Sequence, residues 1–295
     1  MTNIKAMMAE MFRRILTRIS PKLNTAITYR IKFKRKWDEN NPITLDDKIL
    51  WLKFHTYWEN PLVKKCADKF RVREYLQDMG YEHLLVDLYG VYEKVDEIPW
   101  AQLPRQYVLK LNTGCGCNII VFDKNKLDIE KAKLRLDNGM KEKYYLSYSE
   151  MQYKDVKPYI LCEKYIGEPD GTAPLDYKFY CMNGQAKYVM ICTDRVNGKH
   201  AKYFYFNREW EMQPFTYDSL EFPDIKIPKP EGIEEAFRVA EDLSKPFPFV
   251  RVDLYIIQGK IYFGELTFTP SGGLDNGRMY STDKLLGDEL ILPSR

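Results

Sequence analysis

The chain has 295 residues, 45% of them hydrophobic and 29% charged, with a formal net charge of +3. That length can bury one large core or several smaller ones. No apolar run reaches the ~18 residues of a membrane-spanning helix, and the charges scattered through the first residues do not form a secretory signal.

The charge is unevenly placed. Residues 1–36 hold ten Lys and Arg and one acid, which leaves 35 against 41 in the rest. Ile4, Met7, Met8, Met11, Phe12, Ile15, Leu16 and Ile19 recur at helical spacing, with Lys5, Arg13, Arg14, Arg18 and Lys22 mostly off that face. Ser20-Pro21 ends the run, and a second basic cluster follows at Arg30–Lys36. Such a helix suits an anionic membrane surface or a docking place on the protein's own body. No nucleic-acid recognition motif accompanies it, and no nucleic-acid partner is expected. Six irregularly spaced cysteines read as reduced, intracellular thiols. Cys115-Gly-Cys117 lacks the second pair that a zinc site needs.

Asn41-Pro42 marks a boundary, and Thr44 is placed to cap a helix over 45–54. A second helical stretch covers 61–76 and stops near Gly80. Residues 84–92 read as a strand. Next come a strand at 107–111, a loop of small residues at 112–118 and a strand at 119–122. Gly114 and Gly116 let backbone N–H groups turn toward an anion, and Lys110, inside an apolar strand, needs an anionic partner. The loop is neither a Walker A nor a Rossmann motif. Residues 128–150 read as helical. Asn183-Gly184 and Asn197-Gly198 are hairpin turns that organise 159–210 as an antiparallel meander. A helix over 231–244 turns Ala236, Val239, Ala240 and Leu243 to a core.

The last strong signal is a hairpin, 249–267, into which Arg251, Asp253, Glu265 and Thr267 are set. A two-residue turn at Gln258-Gly259 would pair Val252 with Glu265. A three-residue loop, 258–260, would pair Ile257 with Ile261, Tyr255 with Phe263, Asp253 with Glu265 and Arg251 with Thr267. The second register is expected, because facing carboxylates can share a cation and lone buried ones are costly.

In order, these pieces resemble the ATP-grasp superfamily, and within it the TupA-like branch named for teichuronopeptide biosynthesis. The resemblance rests on seven motifs across 41–275: Asn41–Lys53, Ala67–Tyr75, Val108–Gly116, Glu163–Ile166, Asp176–Tyr180, Arg251–Asp253 and Gly264–Pro270. It implies an α+β fold in which two lobes clamp ATP. A basic segment (1–37) and a helical region (38–105) would precede a small lobe (106–168) and a large lobe carrying the metal site (169–295). It implies ATP and Mg²⁺ as cofactors. Lys110 would hold the α- or β-phosphate under a loop of Asn112, Gly114, Cys115 and Gly116. Glu163 and the backbone of Lys164, Tyr165 and Ile166 would read adenine, and Asp176 the ribose. Lys69 would reach the nucleotide. Asp253 and Glu265 would hold the metal, with Thr267 where the superfamily usually has Asn. Arg195, Arg251 and Lys178 would stabilise an acyl-phosphate transition state.

The activity implied is carboxylate–amine ligation on a sugar acid or amino acid of a cell-surface or capsular glycan. It would take place in the cytoplasm, at the inner face of the membrane if residues 1–36 bind there. The rivals are a kinase on the same fold, a glycosyltransferase, for which an Asp-x-Asp motif is wanting, and a non-catalytic membrane-associated binding module.

Overall fold

The computed structural model describes residues 2–114, 116–167, 174–193 and 201–294, with side chains from residue 4. Helices come first: α1 (Thr2–Ile19), α2 (Pro21–Phe33), α3 (Leu45–Leu52), α4 (Pro61–Ala67) and α5 (Val72–Asp78). Ser20 does more than end α1. Its side chain accepts from Leu23 N, and Pro21 takes the first position of α2, so one helix runs straight into the next. Thr44 caps α3 in a capping box with Asp47. The expected 61–76 helix is two helices. Asp68 leaves helical geometry between them, and its carboxylate accepts from Phe70 N and Arg71 N.

The first sheet is antiparallel, in the order β1 (Leu88–Tyr92), β4 (Ile160–Lys164), β2 (Tyr107–Leu111), β3 (Ile119–Val121). Helices α6 (Ile129–Lys141) and α7 (Tyr145–Tyr148) lie between β3 and β4 in sequence. The second sheet runs β10-β9-β5-β6-β7-β8, also antiparallel. Its strands are β5 (Asp176–Met182), β6 (Gln185–Thr193), β7 (Lys202–Phe206), β8 (Met212–Gln213), β9 (Phe249–Ile257) and β10 (Lys260–Thr267). Helices α8 (Tyr217–Glu221) and α9 (Ile233–Ser244) fall between β8 and β9, and α10 (Tyr280–Glu289) closes the order. The fold is α+β. The meander expected over 159–210 is shorter: β4 is paired on both sides by β1 and β2, so it has no free edge for β5, and the meander starts at β5.

Strand periodicity divides each sheet into a core face and an inner face. On β2 and β4, Tyr107, Leu109, Leu111, Ile160 and Cys162 pack with Leu136 of α6. On β5, Phe179 meets Phe237 of α9 edge-on at 4.9 Å, and Cys181 reaches Ala240 of the same helix. The intervening residues, among them Lys110 and Glu163 on one sheet and Asp176, Lys178 and Asp253 on the other, face one cavity. The five described thiols at 66, 117, 162, 181 and 192 are all buried.

Candidate active site

The hairpin of β9 and β10 sets the site. Its turn is Gln258-Gly259, both at positive φ (50° and 75°), and Lys260 pairs with Ile257. This is the two-residue turn, so the expected pairs Ile257–Ile261 and Tyr255–Phe263 do not form; such a turn matches the twist of the strands. The register then slips by one residue between Phe263 and Glu265, and beyond it Glu265 faces Asp253 and Thr267 faces Arg251, as expected. The extra residue is Gly264. A Cβ there would lie 2.9 Å from the Asp253 carbonyl oxygen and 3.2 Å from the Tyr255 ring, so the bulge needs glycine. Gly264→Ala should cost about 1–3 kcal/mol by forced overpacking and loosen the Asp253–Glu265 pairing. Urea unfolding checks this; an effect under ~0.5 kcal/mol would mean that the strand has room to yield.

The acids on the cavity are already paired. Asp253 is 2% exposed and accepts from Arg251 Nε and Nη2, both at 2.7 Å, and from Lys178 Nζ at 2.5 Å. Lys178 also meets Asp176 at 2.6 Å. Burial disfavours the Lys178 ammonium, but Asp253 and Asp176 together outweigh it and raise its pKa. The same carboxylate keeps Arg251 firmly charged against burial. Glu265 lies 3.2 Å from Lys69 and 3.7 Å from Arg251, and its Oε1 accepts from the Thr267 hydroxyl at 3.1 Å. Burial would raise the Glu265 carboxyl, yet Lys69, then Arg251 and Lys178, hold it well below the usual carboxylate range. Across the cavity Lys110 pairs with Glu163 at 2.6 Å.

The cavity encloses about 940 Å³ between the two sheets. The first sheet and the residues flanking it give the cavity an apolar lining of Val86, Val108, Ile120, Phe122 and Ile166 beside residues 163–165, and Phe122 packs edge-on against Tyr165 at 5.3 Å. The second sheet and the residues that follow its strands contribute Tyr180, Tyr205, Thr216, Ser271 and Arg278. Arg278, 2% exposed at its side chain, donates to Asp46 of α3, Asp283 of α10 and Asp275 at 2.7–2.9 Å. Such a cavity suits a ligand that carries both signs of charge. An anion can take the Lys and Arg side chains while a cation takes the carboxylates they release.

The family model described as TupA-like ATP-grasp matches residues 47–291. The chain belongs to the TupA-like ATP-grasp family. Among solved structures, the D-alanine–D-alanine ligase of Bacillus anthracis complexed with ATP is 16% identical, with a TM-score of 0.45, over 76% of this chain and 61% of that one. The Helicobacter pylori D-alanine–D-alanine ligase is 15% identical, with a TM-score of 0.44, over 83% and 69%. A D-cycloserine synthetase is 13% identical, with a TM-score of 0.43, over 78% and 72%. This chain therefore spans less than two thirds of the Bacillus anthracis ligase. No curated protein matches the sequence.

In this TupA-like chain, Lys69, Lys110, Gly114, Gly116 and Glu163–Ile166 reach the cavity, as do Asp176, Lys178, Arg251, Asp253 and Glu265. Lys69 Nζ also donates to the Gly114 carbonyl at 2.8 Å. Asn112 does not reach the cavity. It is fully buried, donates to Asp68 and the Lys157 carbonyl and accepts from Tyr159 N, so it pins the loop's base instead of covering a ligand. Thr267 is not among the residues that line the cavity; its hydroxyl accepts from Arg251 and donates to Glu265. Cys115, Arg195 and the Asn197-Gly198 turn lie outside the described residues. Sequence reasoning missed Arg278 and its three acids. The spacing Asp275, Arg278, Asp283 was the available local signal, but Asp46 is too distant in sequence to be linked to it.

Proposed function

We propose that this ATP-grasp protein is an ATP- and Mg²⁺-dependent carboxylate–amine ligase of cell-surface or capsular polysaccharide synthesis. The observation that carries the reading is the cavity between the sheets, where every acid already has a basic partner. The apolar lining and the backbone of Lys164–Ile166 suit adenine. Glu163 acts through Lys110 rather than on the base, because its carboxylate is engaged there. Lys110 and the loop at Gly114 and Gly116 take the α- and β-phosphates, and Asp176 takes the ribose.

Asp253 and Glu265 offer carboxylate oxygens of the kind Mg²⁺ accepts, and the Thr267 hydroxyl, off the cavity, positions Glu265 by donating to it. Among the described residues no cluster of three His, Cys, Asp or Glu side chains could hold a metal. Mg²⁺ keeps waters and phosphate oxygens in its shell, so two protein carboxylates suffice for it. Bound there, Mg²⁺ would offset the charge of the phosphates. Lys178 and Arg251 stabilise charge on the transferring γ-phosphoryl group as it passes to a substrate carboxylate, and an amine then displaces phosphate. The acceptor carboxylate, on a sugar acid or amino acid, lies toward Tyr180, Tyr205, Thr216 and Arg278.

Calorimetry with ATP, with and without Mg²⁺, tests the first half of this reading, and phosphate release in an acceptor screen tests the second. Mg²⁺-dependent ATP binding is expected. A folded protein that binds no ATP sinks the reading, and a phosphoester product in place of free phosphate replaces ligase by kinase.

A further inference from the structure

Helix α1 is mounted with its apolar side outward. Ile4, Met8, Met11, Ile15 and Ile19 form a stripe, with Met7 and Phe12 beside it, and all are 44–71% exposed. The side packed on the body is largely polar. Glu10 accepts from Ser147 and pairs with Arg13, and Arg14 pairs with Glu142 at 2.5 Å. Thr17 Oγ1 meets Ser149 Oγ at 2.9 Å and accepts from Asn24 Nδ2 at 2.8 Å. Leu16 is the buried apolar residue on that side. The helix therefore does not use its apolar face to dock on its own body, and a stripe of this kind marks an interaction surface.

The charge around the stripe selects the partner. Lys5 and Arg18 are exposed on α1, and Arg30, Lys34 and Lys36 are exposed on α2 or just after it. Glu10, the one acid in residues 1–36, is turned inward and already paired. A second copy of the chain would bring like charges together around a shared apolar seam, which opposes such a pairing. No helix among the described residues is long and apolar enough to cross a membrane. We propose that α1, with the basic groups of α2, docks in the plane of an anionic lipid surface. The stripe would enter the acyl boundary while the Lys and Arg heads stay among the headgroups. This rests on residues 1–36 alone, independent of the nucleotide reading.

The test mixes the whole protein with vesicles of phosphatidylcholine, or of phosphatidylcholine with phosphatidylserine, and sediments them. Binding to the serine-containing vesicles, released by added salt, is expected. Met8→Asp with Met11→Asp, and separately Lys5→Glu with Arg18→Glu, should each weaken binding at least about tenfold. These positions are exposed, so melting temperature and ATP binding should stay as in the wild type. The proposal is overturned if the wild type does not sediment with anionic vesicles, or if both variants bind as well as it does. It is also overturned if the wild type is a dimer that the variants dissociate and that ignores vesicles; the occupant is then a second copy.

Discussion

Glu265→Gln should lower Mg²⁺-dependent ATP affinity at least about 100-fold while leaving the fold intact. Partners that only orient a metal ligand typically cost about 10–100-fold when removed, and a direct ligand should cost no less. The substitution keeps the size of the side chain and an oxygen that can still accept from Thr267 and Lys69. It removes the negative charge that Lys69, Arg251 and Lys178 hold in place. Stability should change little, because the Glu265 side chain is 35% exposed and solvent screens its pairs. Calorimetry against ATP with Mg²⁺ decides it. Wild-type affinity in the variant would remove Glu265 from the metal site and leave the Asp253 cluster as an internal ion-pair network.

Arg278→Met should be the most destabilising single change, at about 3–5 kcal/mol, the usual cost of breaking a buried ion pair from one side. Against a total stability of about 5–15 kcal/mol, that is severe. The wild-type cluster already has three carboxylates facing one guanidinium. Burial, then the neighbouring Asp283, pushes the Asp46 carboxyl well up despite Arg278. Without the guanidinium the Asp46 carboxyl would titrate higher still in the folded state than in the unfolded chain. The folded state then binds more protons, so the variant loses stability as pH rises and recovers it as pH falls toward the ordinary carboxylate range of ~4. Urea unfolding at about pH 7 and about pH 5 checks both size and sign. A loss under ~1 kcal/mol, or a deficit that widens on acidification, would contradict it.

What the sequence made legible was local. Asn183-Gly184 marked a turn, the alternation along β5, β9 and β10 marked strands, and Lys110 in an apolar strand marked an ion-pair site. It misled where geometry depends on residues far away. An amphipathic pattern says that α1 has two sides, but not which side meets α7; the contacts that decide this come from Glu142, Ser147 and Ser149. The break between the sheets was hidden because β4 reads like its neighbours, and only its pairing with β1 and β2 separates it from the meander. Asn112 looked like a loop ligand because its partners, Asp68, Lys157 and Tyr159, lie 44 to 47 residues away. The pairing of Asp253 with Glu265 was foreseen, but by the wrong loop, since a glycine bulge is nearly silent in a period-two pattern.

That bulge gives β10 something like a reading frame. Counted from the turn without a bulge, Gly264 would fall opposite Asp253 and Glu265 opposite Val252, whose side chain is fully buried in the core under α9. Gly264 is the inserted residue that keeps the carboxylate in frame with the cavity. Removing it altogether leaves Phe263 opposite Leu254 and brings Glu265 next, still opposite Asp253. A one-residue deletion at this point preserves the acid pair, whereas a one-residue insertion between Gly264 and Glu265 turns the carboxylate to the wrong side. Length changes in this strand therefore differ in consequence by direction, and a related chain one residue shorter here can keep the same site.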